Sequence, residues 1–320
     1  MTTLELPSAR RASALYSVAS AAGRWPAYIL KHSRRKPLGA FGAMLVGLFV
    51  VVAVFSPMIA PYNARESVDA SLKSPDWSHL LGTDAMGQDV LSRVLVGSQI
   101  SLAVAFSVTI INVTMSTLLG LLAGYFQGPV DYIIQRSGEV WSAFPGLIAL
   151  MLIVSILGTP STEGGNLLTI AWDMRNLIFA FSLGAVFGGS RVVRGVTISL
   201  KQAEYATAAR ALGASDMRII LRHLLPNVLP YVIVTATAGL GVVILGEASL
   251  SFLGLGVAPG TPSWGQDLSG RNRQFFTSAW WIALAPGTAI SLTVLGFNLF
   301  GDALRDILDP RLRGSGKGKT

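Results

Sequence analysis

Cysteine is absent from this chain, so it can form neither disulfides nor thiolate metal sites, though this says nothing about compartment. Histidine is nearly absent: His32, His79 and His223 lie far apart and make no HExxH-like pair, leaving no clustered metal ligands. Charge is scarce as well, at 13% of residues against 51% hydrophobic, with a mean hydropathy of +0.55. That balance is too apolar for one soluble core and points to an all-α, polytopic membrane protein.

Energy-coupling machinery is also missing. The tail GSGKGKT (314–320) has the surface look of a phosphate-binding loop, but GxxxxGK[ST] requires a glycine where Arg313 stands, and the given sequence offers no following helix. Ionisable residues that could couple transport to protons or sodium are few. Glu139, Arg191, Arg194 and Glu247 each fall near the end of an apolar run, where a side chain can snorkel to the interface.

What the chain does have is long apolar runs. A bilayer core about 30 Å thick needs roughly 20 helical residues. Six windows approach that length: Leu38–Ala60, part of Val94–Val130, Val140–Thr162, Asn176–Ser190 (short unless it continues past Arg191), His223–Gly246 and Gln274–Gly301. About 37 mostly polar and basic residues precede the first, which has full spanning length and is therefore expected to stay in the mature chain. With the N-terminus inside, the inner segments hold 19 of the 25 Lys and Arg, so both termini are expected to be cytoplasmic. The net charge of +8 follows from these flanks, which suit anionic headgroups, and their scatter argues against nucleic acid as a partner.

The expected organisation is a basic arm (1–37), a first span (38–60), an external segment (61–93), five further spans (94–302) and a cytoplasmic tail (303–320). A connection as long as 61–93 is expected to touch a partner, and Thr83 or Asp84 is placed to cap a short helix in it. GxxxG pairs at Gly120/Gly124 and Gly184/Gly188 favour close helix packing within the subunit. Trp280 and Trp281 fall where an outer aromatic belt belongs.

Between two spans lies EYATAARALGASDMRIILRHLLPN (204–227). Ala203–Leu212 favours helix, Gly213 suits the left-handed position that ends one, Ser215 and Asp216 start a second, and Pro226 is expected to break it. A helix of about ten residues is marginal alone in water and needs a surface. Ala206, Ala208, Ala209 and Ala211 would let its backbone sit deep in another protein's groove, with Glu204 and Arg210 at the rim. The glycine turn mimics a helix-turn-helix, but the flanking spans hold the pair against the bilayer. Physics alone leaves a passive loop and a docking element both open.

Thr207-Ala208-Ala209, Gly213 and Leu225-Pro226 follow the spacing of the EAA loop of ABC importer permeases. LGTDAMGQDVLSR (81–93), LAGYFQGPVD (122–131), ARALGAS (209–215), RHLLPN (222–227), EASLSFLGLG (247–256), PSWG (262–265) and FNLFGDALRDILDPRLR (297–313) appear in the order of one branch of it. Over residues 38–313 the chain resembles the C-type permease subunit of dipeptide, oligopeptide and nickel importers. The resemblance implies a type I importer permease fold with six spans, no catalysis and no cofactor in this chain, ATP and Mg being bound by partner subunits. Implied partners are a B-type permease, two ATPase subunits and an external substrate-binding protein, in a bacterial or archaeal cytoplasmic membrane. Implied ATPase-coupling residues, within a loop at 199–227, are Glu204, Tyr205, Thr207, Ala208, Ala209, Arg210, Gly213 and Ala214. The cargo is expected to be a dipeptide or oligopeptide, with nickel, an oligosaccharide or another small solute as alternatives; outside this class, a stand-alone ion-coupled carrier is the competing reading. The chain departs from the pattern in four places. Thr207 stands for the first glutamate, Gln88 for a usual arginine, 183–195 lacks a common tryptophan, and loop 158–175 is somewhat long. Glu204 or Arg210 is then left to supply any ionic contact, and Thr207→Glu is expected to be tolerated.

Overall fold

The computed structural model describes residues 37–270 and 272–308, so most of the expected basic arm and the end of the tail lie outside the described residues. Apolar runs without interior strand signals give eleven α-helices among those residues: α1 (Pro37–Ile59), α2 (Val90–Phe126), α3 (Gly128–Ser142), α4 (Gly146–Leu157), α5 (Leu167–Asp173), α6 (Arg175–Lys201), α7 (Glu204–Ala211), α8 (Asp216–Ile219), α9 (Leu225–Phe252), α10 (Trp264–Asp267) and α11 (Trp281–Leu308). A π turn, Ile220–Leu224, joins α8 to α9.

Five stretches are long and apolar enough to cross a bilayer: α1, α2, α6, α8 through α9, and α11. A sixth exists if α3 and α4 together form one broken span, bent by 89°. The run Val140–Thr162, expected as a single straight span, is therefore interrupted. Pro145 has no N–H to continue the ladder and takes an extended backbone (ψ 122°), which redirects the chain into α4.

α2 is the central element. At 37 residues it is about 55 Å long, well beyond a bilayer core, and its segment from Ile100 to Val108 is buried against α6, α9 and α11. Lipid is as apolar as leucine, so this packing rests on close van der Waals fit rather than on escape from water. The fit is tightest where α2 meets α6. A methyl on Gly120 would come within 2.5 Å of Val193 Cβ, and one on Gly124 within 2.6 Å of Thr197 Cβ. That GxxxG pair thus works inside the chain. In the second pair, Gly184 instead seats the Trp141 indole of α3, and Gly188 faces open space.

Side-chain ties sort the connections into two ends. At one, Lys201 Nζ donates to the Tyr125 carbonyl (2.6 Å) and Arg194 forms a bidentate pair with Asp131, collecting the α2–α3 turn and residues 199–227. At the other, Arg93 donates to Asp267 (Nε, 2.8 Å), Trp281 Nε1 to the Thr83 carbonyl (3.1 Å), and Arg65 to the Thr162 carbonyl. Residues 61–89 form no helix there. Asp89, rather than Thr83 or Asp84, is the cap, its carboxylate accepting from Ser92 N at the start of α2.

Candidate functional site

The 199–227 segment is built by local rules. α6 ends at Lys201, and Ala203, in an extended conformation, starts α7 with no side-chain cap. Gly213 (φ 79°) closes α7 in a left-handed turn: its N–H bonds the Arg210 carbonyl, and Ala214 N–H reaches back to the Ala209 carbonyl. Both orphan carbonyls are thereby satisfied, as in a Schellman cap. Ser215 and Asp216 open α8. Pro226, expected to break the second helix, does not. The preceding turn widens to the π register, with Leu225 N–H bonding the Ile220 carbonyl, and the chain runs on into α9 with the proline in its first turn, where a missing N–H costs little.

The four alanines divide between two faces. Ala206 and Ala209 are buried against Ile219, Ile220 and Leu224, in a cluster that also takes in Leu121 and Tyr125 of α2 and Val193 of α6. Ala208 and Ala211 are exposed, together with Glu204, Thr207, Arg210 and Gly213, and Leu212 is 88% exposed. Ala214 is half-buried. Tyr205 leaves 39% of its surface free, and partial burial pushes its phenol above the ordinary value of 10.0. The face available to a partner is thus narrower than the alanine pattern suggested: two alanines serve the chain's own core. The segments on either side of the short helix are tied to α2: Asp216 of α8 accepts from the Tyr125 hydroxyl, and Lys201 of α6 donates to the same tyrosine's carbonyl and lies over its ring at 5.2 Å.

Beside α7 lies a depression of about 350 Å³ lined by Gln127, Ile198, Lys201, Gln202, Thr207 and Arg210. Gln127 holds φ 56° and ψ −159°, a region nearly reserved for glycine, which costs on the order of 1–3 kcal/mol and pins the α2–α3 turn at the rim.

The opposite end is a buried polar knot that sequence reasoning did not find. Arg93 is 4% exposed; it bonds Asp267, Gln88 Oε1 and the Ala64 carbonyl. Gln88, one of the departures from the family pattern, bridges Arg93 to the Arg65 carbonyl. Buried His79 contacts Asp89 at 2.9 Å and sits under the Tyr62 ring. Trp281 is no belt residue: it is 8% exposed and its indole is bonded, while Trp280 remains 58% exposed. Glu247 does not snorkel. It is fully buried and accepts from Ser101 (3.0 Å) and Ser251 (2.8 Å), joining α2 to α9. Glu139 is exposed and pairs with Arg136, as a surface residue would. The available signal was the coexistence of LGTDAMGQDVLSR, which ends where an apolar span begins, and PSWG, which is followed directly by Gln266 and Asp267.

The fold is that of a multi-pass membrane protein, with five helical stretches, or six counting the bent pair, long and apolar enough to cross a bilayer. The model for the binding-protein-dependent transport system inner membrane component matches residues 116–314, and that for the N-terminal TM domain of oligopeptide transport permease C matches 25–75. The chain is 42% identical over 283 residues, 88% of its own length and 89% of theirs, to the glutathione transport system permease proteins GsiD of Escherichia coli O6:K15:H31 (strain 536 / UPEC) and Shigella boydii serotype 4 (strain Sb227). A chain of the MetNI methionine ABC transporter, solved in inward-facing conformations, is 18% identical with a TM-score of 0.49, covering 69% of this chain and 96% of that one. The chain belongs to the binding-protein-dependent transport system inner membrane component family, as an OppC-type permease of the peptide branch of ABC importers. Members of that family bind no cofactor themselves, and an importer permease implies ATPase and binding-protein partners.

Proposed function

We propose that this chain pairs with a B-type permease to form the translocation pathway for short peptides, and that residues 199–227 receive the work of two ATPase subunits. Glutathione, the substrate for which the relatives are named, is a tripeptide, which supports peptide cargo over nickel or oligosaccharide. The concentration of Lys and Arg in the segments reckoned as inner supports cytoplasmic termini, with 94–302 as the type-1 transmembrane unit and an external binding protein delivering cargo.

The observation that carries the coupling role is the seating of α7. An eight-residue helix, too short to persist alone, is held by buried Ala206 and Ala209 while its other face stays open to solvent. A passive connection has no need of such a platform. Force applied to α7 passes through the π turn into α9, because α8, the turn and α9 are one continuous 37-residue span. In proteoliposomes holding the four-subunit complex, removal of 204–213 abolishes ATP-driven peptide uptake and releases the ATPases. Uptake that survives the deletion contradicts the coupling role.

A further inference from the structure

We infer that the depression beside α7 is a receptor for a carboxylate side chain presented by the ATPase subunit. The inference rests on the coupling role proposed above and adds the sign of the charge that crosses the interface.

The lining carries the argument. Five of its six residues are polar, and each of the five can donate a hydrogen bond: Lys201 and Arg210 as cations, Gln127 and Gln202 as amides, Thr207 as a hydroxyl. No carboxylate lines it. The nearest acid on the following helix, Asp216, is occupied by the Tyr125 hydroxyl, beside which Arg210 also lies. Lys201 is held in place by its bond to the Tyr125 carbonyl and its position over that ring, so its charge is oriented before any partner arrives. Thr207 makes only a long 3.4 Å contact with the Ala203 carbonyl, which leaves its hydroxyl available. Across 199–227, Lys201, Arg210, Arg218 and Arg222 face just two acids, Glu204 and Asp216. A fixed lysine, an arginine fork and neutral donors at one rim are the chemistry that binds a carboxylate.

Thr207 gains a meaning from this. A glutamate there would place its own carboxylate in the depression and neutralise it from within; threonine adds no negative charge beside the cations. The tolerance expected for Thr207→Glu from the motif alone is therefore reversed.

The test uses the purified complex of this chain with its co-expressed permease and ATPases, measuring ATPase retention against KCl concentration. Lys201→Gln with Arg210→Gln is expected to weaken ATPase binding about tenfold at low salt, the scale of one lost charge-assisted contact, and to flatten its salt dependence. Thr207→Glu and Gln202→Glu, which add a carboxylate without removing a cation, are expected to do the same; Gln202→Glu leaves α7 itself untouched. Unchanged affinity and salt slope in all three overturn the inference. Leu212→Asp separates this from the underlying reading. If it releases the ATPases while the charge variants do nothing, docking at α7 stands and the carboxylate receptor falls. If deletion of 204–213 leaves them bound, both fall.

Discussion

The two ends of the helical bundle are built on opposite principles. At the 61–93 and 253–281 end, charged side chains are buried and spent on one another: Arg93 and Asp267 are 4% and 5% exposed and share a salt bridge. At the 199–227 end the buried residues are alanine, isoleucine and leucine, while Arg210, Arg218 and Arg222 face outward. The first arrangement fixes connections that have no helical ladder of their own. The second holds one short helix firmly and keeps its outer face uncommitted. Polar groups invested inward set rigidity, and polar groups left outward are available to a partner.

The sharpest break in that contrast is Arg93→Met, which strands Asp267 in a buried site and should cost about 3–5 kcal/mol of stability. Thermal unfolding of the purified complex measures it; a loss under about 1 kcal/mol would mean the knot does not anchor the 61–93 end. Next is Ala206→Leu, which forces a large side chain between α7 and the α8–α9 segment and should cost about 1–3 kcal/mol while lowering ATPase retention. Gly213→Ala comes third, at about 1–2 kcal/mol for a Cβ in the left-handed turn, felt as fraying of α7 with the 61–93 end unchanged. Hydrogen exchange at α7 and across 61–93 separates the two ends.

The smallest effect is expected at the exposed cluster of Lys73, Asp69 and Asp76. Lys73, hydrogen-bonded first by Asp69 and then by Asp76, is raised from its ordinary 10.5 to about 12, and its ammonium in turn holds the Asp76 carboxyl well below 3.8. A depressed carboxylate contributes above its ordinary value and loses that contribution as pH falls below it; the raised lysine contributes below 10.5 and loses it as pH climbs through about 12. Asp76→Asn should therefore shift the melting temperature barely at neutral pH, and less still in acid. Screening by water keeps such exposed pairs weak.

The helices were largely legible because spanning length and hydropathy read directly from residues such as those of α1 and α2. The broken third span was not, because Val140–Thr162 is uncharged throughout, and hydropathy does not register that Pro145 redirects the backbone. Gly213 announced its turn, since a left-handed cap has a residue signature. The π turn at Ile220–Leu224 has none, and Pro226 pointed to a break instead. Which alanines of α7 face inward depends on where α8 returns, a tertiary fact. Glu247 looked like an interfacial residue because its serine partner Ser101 lies 146 positions away.

The central claim, that the open face of α7 meets the ATPases, is tested most directly by site-specific cross-linking, for which a chain with no native cysteine is ready-made. Leu212→Cys, Ala206→Cys and Leu80→Cys are compared in the assembled complex with a short bifunctional thiol-to-amine reagent. Leu212→Cys is predicted to cross-link to the ATPase subunits, buried Ala206→Cys to remain unreactive, and Leu80→Cys, at the opposite end, to give no ATPase adduct. An ATPase adduct from Leu80→Cys with none from Leu212→Cys would contradict the account.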